Sequence, residues 1–426
     1  MNFIADLHVH SYLSRATSKQ MNLESLYRWA QLKGVTLVGT GDFTHPQWFK
    51  EIREKLEPAE PGLFSLKKEC RKSIDEDIPE SCRALVRFML SVEISSIYKK
   101  NGKTRKVHNL VFFPDFQSVA RFNAKLQKVG NIASDGRPIL GLDSKELLRI
   151  ALDTSIDSYF IPAHIWTPHF SVLGSKSGFD SIEECFEELT PYIHCGETGL
   201  SSDPPMNWRL SALDKITLIS NSDAHSPDRL AREANLFSTD LSYYAIVKAL
   251  NVPERGELLK TIEFFPEEGK YHFDGHRACN QCLSPEETIK QNGFCPACGR
   301  KVTVGVMHRV TELADRPSGF ALDGRPPFLS VVGLAEIISQ IYGVGPRSKK
   351  VQNEYFRLLR MLGNELFILI DCSISDLGNS GLSLLAPAVE NMRNQNVEII
   401  PGYDGEYGKV MVLNDNDKSA NQLSLF

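Results

Sequence analysis

Phe3-Ile4-Ala5-Asp6-Leu7-His8-Val9-His10 reads as a strand that runs out into two imidazoles. A helical pattern from Leu23 to Lys33 follows, with Asn22 placed to cap its start and Gly34 to stop it. Val35 to Thr40 is again strand-like, so the chain opens with a β-α-β unit. Further strands are predicted at Arg87–Ile94, Val107–Phe113, Tyr159–Ala163, Tyr192–Cys195 and Ile216–Ser220. Each ends at or just before a possible metal ligand: His8 and His10, Asp42 and His45, Glu93, His164, Glu197, Asp223 and His225. His108 is the exception, near a strand start. Barrels and open α/β sheets carry their chemistry at the carboxyl ends of strands, so the pattern predicts an α/β barrel with a site at one mouth.

The chain has 426 residues, long enough for two or three domains. The expected division is a hydrolase barrel over 1–265, a cysteine lobe over 270–307, a small α+β domain over 308–413 and a polar tail over 414–426. Neither a basic leader nor an apolar run of roughly 20 residues is read, so no membrane partner is expected. Of nine cysteines, four sit in a zinc pattern and the rest are scattered. That suits a reducing cytoplasm, with the protein at the nucleoid when on DNA. The net charge of −5 confines any nucleic-acid footprint to local basic runs, at Lys99–Lys106 and Arg347–Arg360.

Residues two apart in a strand share a face, so His8 and His10 present paired imidazoles, with Asp6 on the same face to orient a ligand. Asn101-Gly102 between strand-like runs is a strong hairpin signal favouring a two-residue type I′ turn. In that register Lys100 faces Lys103 and Ser95 faces His108. Glu93 becomes a same-face diagonal neighbour of His108, at roughly 7–8 Å between Cα atoms. Asp223 and His225 repeat the i, i+2 device. Imidazoles mixed with carboxylates suit Zn²⁺, Mn²⁺ or Fe²⁺ better than Ca²⁺. The ligands are too many for one ion, so two or three carboxylate-bridged ions are expected, an arrangement suited to phosphoester hydrolysis.

Asp6-Leu-His-Val-His10, Gly39-Thr-Gly-Asp-Phe-Thr-His45, Ser91-Val-Glu93, Pro162-Ala-His164 and Asn221-Ser-Asp-Ala-His225 together resemble the ordered motifs of the polymerase-and-histidinol-phosphatase (PHP) superfamily. The resemblance covers roughly residues 1 to 250 and implies a distorted β/α barrel with up to three metals. It implies that His8, His10, Glu93 and Asp223 hold one ion, and that Glu93, His108 and His164 hold a second, with Glu93 bridging. His225 with His45 or Asp42 would serve a third. Glu93 and Asp223 are then the catalytic carboxylates, with Glu197 a further ligand or base. Two departures bear on the third site: Phe43 follows Asp42 where the family usually has a histidine, and Ser11 to Gln20 lacks the histidine that some members carry after the first motif.

Cys279-x2-Cys282 and Cys295-x2-Cys298 form two zinc knuckles, which predict one structural Zn²⁺ held by four thiolates. Beyond them, Ile341-Tyr-Gly-Val-Gly-Pro-Arg347 resembles the turn of a helix-hairpin-helix, with Lys349 and Lys350 at the start of the next helix to meet phosphate. Gln422-Leu-Ser-Leu-Phe426 resembles the terminal peptide by which bacterial repair proteins dock on the DNA sliding clamp. Gln422 would supply polar contacts, and Leu423, Leu425 and Phe426 the apolar anchors.

Taken together, the barrel motifs, cysteine lobe and tail resemble the endonuclease Q family over essentially the whole chain. The resemblance extends to Gly196-Glu-Thr-Gly-Leu-Ser-Ser-Asp203. It implies a DNA-repair endonuclease that cuts 5′ to uracil, hypoxanthine, xanthine or an abasic site, with two or three catalytic ions drawn from Zn²⁺, Mn²⁺, Mg²⁺ or Fe²⁺. Trp166, His169 and Phe170, just past His164, are expected to wall a pocket for a base turned out of the stack. A histidinol-phosphatase-like phosphomonoesterase accounts for the barrel alone, and a non-catalytic DNA or clamp adaptor for the additions alone.

Overall fold

The structure, a computed structural model, describes residues 1–252 and 256–414. The clamp-like peptide at Gln422, Leu423, Leu425 and Phe426 therefore lies outside the described residues. The opening helix occupies Leu23–Lys33, as its ends predict: the Asn22 side chain accepts from Ser25 N, and Gly34 closes it at φ 89°. Leu23, Leu26, Tyr27 and Ala30 form its buried face. That 3–4 spacing gives the helix one apolar stripe to lay on the sheet.

The main sheet is mixed. Strand Asn2–Asp6 pairs in parallel with Leu37–Gly39, which in turn pairs in parallel with Arg87–Lys100. Lys103–Phe113 returns antiparallel to Arg87–Lys100, and Tyr159–Pro162 lies antiparallel beyond it. On the other side of Asn2–Asp6 come Ala234–Ser238, Leu258–Glu263 and Phe328–Ser330. Cys195–Glu197 and Thr217–Ile219 form their own parallel pair. Among the described residues no continuous ladder joins that pair to its neighbours. Single bonds span both seams, Ile165 N to Glu197 O on one side and His10 N to Ala224 O on the other. The mixed α/β class read from the sequence holds, whereas ring closure rests on these isolated bonds at the strands' carboxyl ends, where the candidate ligands lie.

The hairpin register is the one the Asn-Gly turn predicts. Ser95 pairs with His108 and Lys100 with Lys103, and Asn101 and Gly102 take φ 53° and 72°, as a type I′ turn requires. The strands run further than the apolar pattern indicates, because the lysine-rich tip continues the ladder. At that tip Lys100 is tied to Glu187 at 2.7 Å, so the basic run is partly neutralised. The predicted strand at Tyr192–Cys195 instead begins at Cys195, since residues 187–192, with Pro191 among them, form a 3-10 turn.

One apolar core runs without interruption from Val9 and Leu26 under the sheet into the C-terminal helices, through Leu334, Leu358 and Val389. The cysteine lobe stands apart, with a core of only Leu283, Cys295 and Val302. In the C-terminal region, helices Leu334–Tyr342 and Lys349–Leu362 flank the turn that carries Gly343, at φ 64°. No helix among the described residues is long and apolar enough to cross a membrane.

Candidate metal centre

The strand ends deliver their side chains to one point. His8 Nε2 lies 3.6 Å from Glu93 Oε2 and 3.5 Å from Asp223 Oδ1. His10 Nε2 lies 3.2 Å and 3.0 Å from the same two oxygens. On the far side of Glu93, Oε1 is 2.6 Å from His108 Nδ1 and 3.0 Å from His164 Nε2. Two groups with metal-ligand spacing result, His8–His10–Glu93–Asp223 and Glu93–His108–His164, and they share Glu93.

The residues fit divalent ions. His8 Nε2, His10 Nε2 and Asp223 Oδ1 are buried without any hydrogen-bond partner, yet converge on one space. Buried polar atoms are rarely left so, and a cation between them would satisfy all three. The opposite ring nitrogens are engaged: His8 Nδ1 lies 3.0 Å from both oxygens of Glu197, and His10 Nδ1 3.1 Å from Asp42 Oδ1. A carboxylate that takes the Nδ1 proton leaves the Nε2 lone pair facing inward.

These contacts reassign three expected roles. Glu197 is fully buried, and also accepts from His164 N at 2.8 Å and Asn221 Nδ2 at 2.9 Å. It has the geometry of an orienting carboxylate rather than of a ligand or base. Asp42 accepts from Ser11 N, Ser11 Oγ and Ser14 Oγ as well as facing His10, so its oxygens are committed. Asp6, expected to orient a ligand, instead ties the loop after Ile219 by accepting from Ser222 N and Ala231 N.

The third cluster is not assembled among the described residues. His45 begins the helix Pro46–Lys55 and joins neither group, and Asp42 is occupied by serines. His225 lies nearby, its ring 4.6 Å from that of His10, with Nδ1 2.8 Å from Asp223 O.

Three residues of the centre or its support have a strained backbone. Asp42, His164 and Asp223 adopt φ of 51°, 30° and 46°, a region that side-chain-bearing residues seldom enter. Gly199 packs against one of them: a Cβ there would fall 2.5 Å from that of His164.

The electrostatics suit cations. Burial opposes charging His8, but the carboxylates of Glu197, Asp223 and Glu93 outweigh it and hold its pKa well above the ordinary imidazole value. His108 goes the other way: burial lowers it to about 4, and the neighbouring Glu93 carboxylate only partly offsets that. Behind the centre, burial raises Glu263 to about 7; its Oε2 accepts from Thr198 and Ser220, while Oε1 has no partner. Its folded-state pKa exceeds the unfolded value of 4.5, so the native state retains a proton that the unfolded chain releases. Stability therefore falls as pH rises from about 5 through 7. Glu263→Gln is expected to flatten that fall and to raise stability at pH 8 by a few kcal/mol, measured by urea denaturation at pH 5 and pH 8.

Of the expected base-contact residues, Trp166 is a core side chain, fully buried with Nε1 donating to Asn207 Oδ1 at 2.8 Å. It walls no open pocket. His169 is exposed, and the Phe170 ring lies tilted against that of His108 with ring centres 4.7 Å apart. Lys349 and Lys350 are exposed at the start of their helix, and Lys350 Nζ sits 3.8 Å over the Tyr342 ring.

In the cysteine lobe, His276 joins Cys279, Cys295 and Cys298 within ligand spacing, and Cys282 does not. Cys282 lies mid-strand opposite Gly275, its sulfur 4.0 Å from Pro401 O, whereas His276 Nδ1 is 3.5 Å from Cys298 Sγ. The knuckle spacing could not indicate this, because the histidine comes from the paired strand Asp274–His276.

The whole chain superposes on the crystal structure of the lesion-specific endonuclease PfuEndoQ from Pyrococcus furiosus. The TM-score is 0.83 at 32% identity, with 99% of each chain covered. The chain belongs to the endonuclease Q family. A second endonuclease Q structure, complexed with a 27-mer duplex carrying an abasic lesion at its active site, matches with TM-score 0.82 and 33% identity over 98% of both chains. Residues 333–396 match the family described as the MJ0043 C-terminal domain. The uncharacterized protein YqxK of Bacillus subtilis is 28% identical over 95% of this chain and 98% of its own length. The uncharacterized protein MJ0043 of Methanocaldococcus jannaschii is 33% identical over 58% of this chain, a match spanning 31% of that protein. Likeness to endonuclease Q thus runs through the cysteine lobe and C-terminal helices as well as the sheet.

Proposed function

We propose that the chain is a metal-dependent DNA endonuclease that cuts 5′ to deaminated bases or abasic sites. The observation that carries this reading is the pair of ligand groups sharing Glu93, set in a fold that matches endonuclease Q over its full length. Bound divalent ions, Zn²⁺, Mn²⁺, Mg²⁺ or Fe²⁺, would supply Lewis acidity to the phosphodiester and activate water. His8, His10, Glu93 and Asp223 would hold one ion and Glu93, His108 and His164 the other. Glu197 and Asp42 fix the two strand imidazoles in the tautomer that binds. His225, part-exposed beside Asp223, would serve a third ion or supply a proton at the leaving oxygen.

The division into hydrolase, cysteine-lobe and C-terminal units belongs to the same proposal. So does DNA contact by Lys349, Lys350, His169 and Phe170. The glycine turn between helices Leu334–Tyr342 and Lys349–Leu362 supports contact with a phosphate backbone. Structural Zn²⁺ in the cysteine lobe and clamp docking by the terminal peptide complete the reading. A small-molecule phosphatase is not favoured, since it leaves the likeness beyond the sheet without a role.

The test is a panel of duplex oligonucleotides, each with one uracil, hypoxanthine, xanthine or abasic site, incubated with Mn²⁺ or Mg²⁺. Nicking of one or more damaged duplexes, abolished by EDTA, is expected. Undamaged duplex cut equally fast, or no nicking beside fast hydrolysis of a phosphate monoester, would overturn the reading.

A further inference from the structure

Arg137 belongs to neither ligand group, yet its guanidinium enters the centre. Nη1 lies 2.9 Å from Glu93 Oε2, the oxygen that also faces His8 and His10. The Arg137 side chain is 24% exposed and that of Glu93 fully enclosed, so the guanidinium stands at the mouth and points inward.

The turn that carries it is built against the centre. Asp135 Oδ1 accepts from Arg15 N and Arg137 N, Gly136 N donates to Leu13 O, and Ser95 N donates to Pro138 O. A Cβ at Gly136 would fall 2.3 Å from Asp42 Oδ2 and 2.4 Å from Ser14 Oγ. Nearby arginines are employed otherwise. Arg232 Nε donates to Ser222 O, and Arg15 is largely solvent-exposed beside Asp135.

Charge counting gives Arg137 its role. Two divalent ions would be balanced by the carboxylates of Glu93, Asp223, Asp42 and Glu197, all packed around them. A phosphodiester then brings one further negative charge, and nucleophilic attack adds another, with no cation left among the ligands to meet them. An arginine fork matches phosphate oxygens in geometry and keeps its charge at any working pH. We propose that Arg137 binds a non-bridging oxygen of the scissile phosphodiester, its guanidinium aimed into the centre by its contact with Glu93. The proposal rests on the nuclease reading above.

The test compares the full-length protein with Arg137→Ala and Arg137→Lys, with Arg137→Met retained in case the alanine variant does not fold. Three quantities are read: Mn²⁺ affinity by calorimetry, inorganic phosphate affinity of the Mn²⁺-loaded protein, and single-turnover cleavage of an abasic duplex. Arg137→Ala is expected to bind Mn²⁺ at least as tightly as wild type, since a competitor for Glu93 is gone. It should bind phosphate about tenfold or more weakly and cut about 10²–10³-fold more slowly, the usual cost of losing one donor to a developing anion. Arg137→Lys should fall between the two. Unchanged phosphate affinity in Arg137→Ala overturns the proposal, and so does loss of Mn²⁺ binding, which would make Arg137 a support for Glu93 alone. If wild type cuts no DNA while phosphate binding still depends on Arg137, the nuclease reading fails and Arg137 is left a phosphate-binding residue of another phosphoester site.

Discussion

Glu93→Ala is expected to slow strand cleavage by at least about 10³-fold and to lower bound Mn²⁺ by more than any other single ligand change. Glu93 is the one residue common to both groups, with Oε2 facing His8 and His10 and Oε1 facing His108 and His164. Removing it takes a ligand from each ion and leaves four buried imidazoles facing one another with one fewer counter-charge. Asp223→Asn touches only one group and should retain the other ion. Glu197→Gln should keep both ions and lose about 10–100-fold, because it acts through His8 Nδ1 rather than on an ion. Metal content by mass spectrometry alongside single-turnover rates separates these cases. Equal losses in Glu93→Ala and Glu197→Gln, with equal metal content, would contradict the bridging assignment.

The second large effect concerns the cysteine lobe. Its buried apolar core is Leu283, Cys295 and Val302, too little to offset the chain entropy of the residues it orders. A structural Zn²⁺ site contributes about 10–16 kcal/mol in small zinc-dependent folds, so the lobe should order only with metal bound. Cys295→Ala, or exhaustive chelation, is expected to expose residues 271–304 to rapid hydrogen exchange while the main sheet stays protected. The observed grouping adds a finer outcome: His276→Ala should release zinc and Cys282→Ser should keep it. Zinc lost from Cys282→Ser and kept by His276→Ala would restore the four-thiolate site that the knuckle spacing predicts.

Legibility in the sequence followed the range of the forces involved. The hairpin that joins Glu93 to His108 is fixed by a two-residue turn and a period of two, both local, and its register is met residue for residue. The helix Leu23–Lys33 is bounded by its own caps. His8, His10 and Asp223 were readable because i, i+2 spacing at a strand end puts two groups on one face. What could not be read depends on packing between distant segments. Glu197 reads as a ligand until its oxygens are seen on His8 Nδ1, a partner 189 residues away. Asp42 looks free until Ser11 and Ser14 are placed on it. Trp166 reads as a pocket wall because aromatics serve both cores and pockets, and only the partner Asn207 decides. Arg137 carries no motif, since a Gly-Arg-Pro turn has many uses, and only three-dimensional placement against Glu93 marks it. His276 lies only three residues before Cys279, but the paired Cys-x2-Cys spacing points to four thiolates and gives the histidine no mark of its own.

The most direct measurement takes a duplex with a single abasic site, labelled at the 5′ end of the damaged strand, and incubates it with Mn²⁺ and either wild type or His8→Ala. With wild type, one product is predicted, ending immediately 5′ to the lesion and independent of flanking sequence; with His8→Ala, none. Cleavage at undamaged positions, cleavage only 3′ to the lesion, or equal cleavage by His8→Ala would contradict a lesion endonuclease working from the His8–His10–Glu93–Asp223 centre.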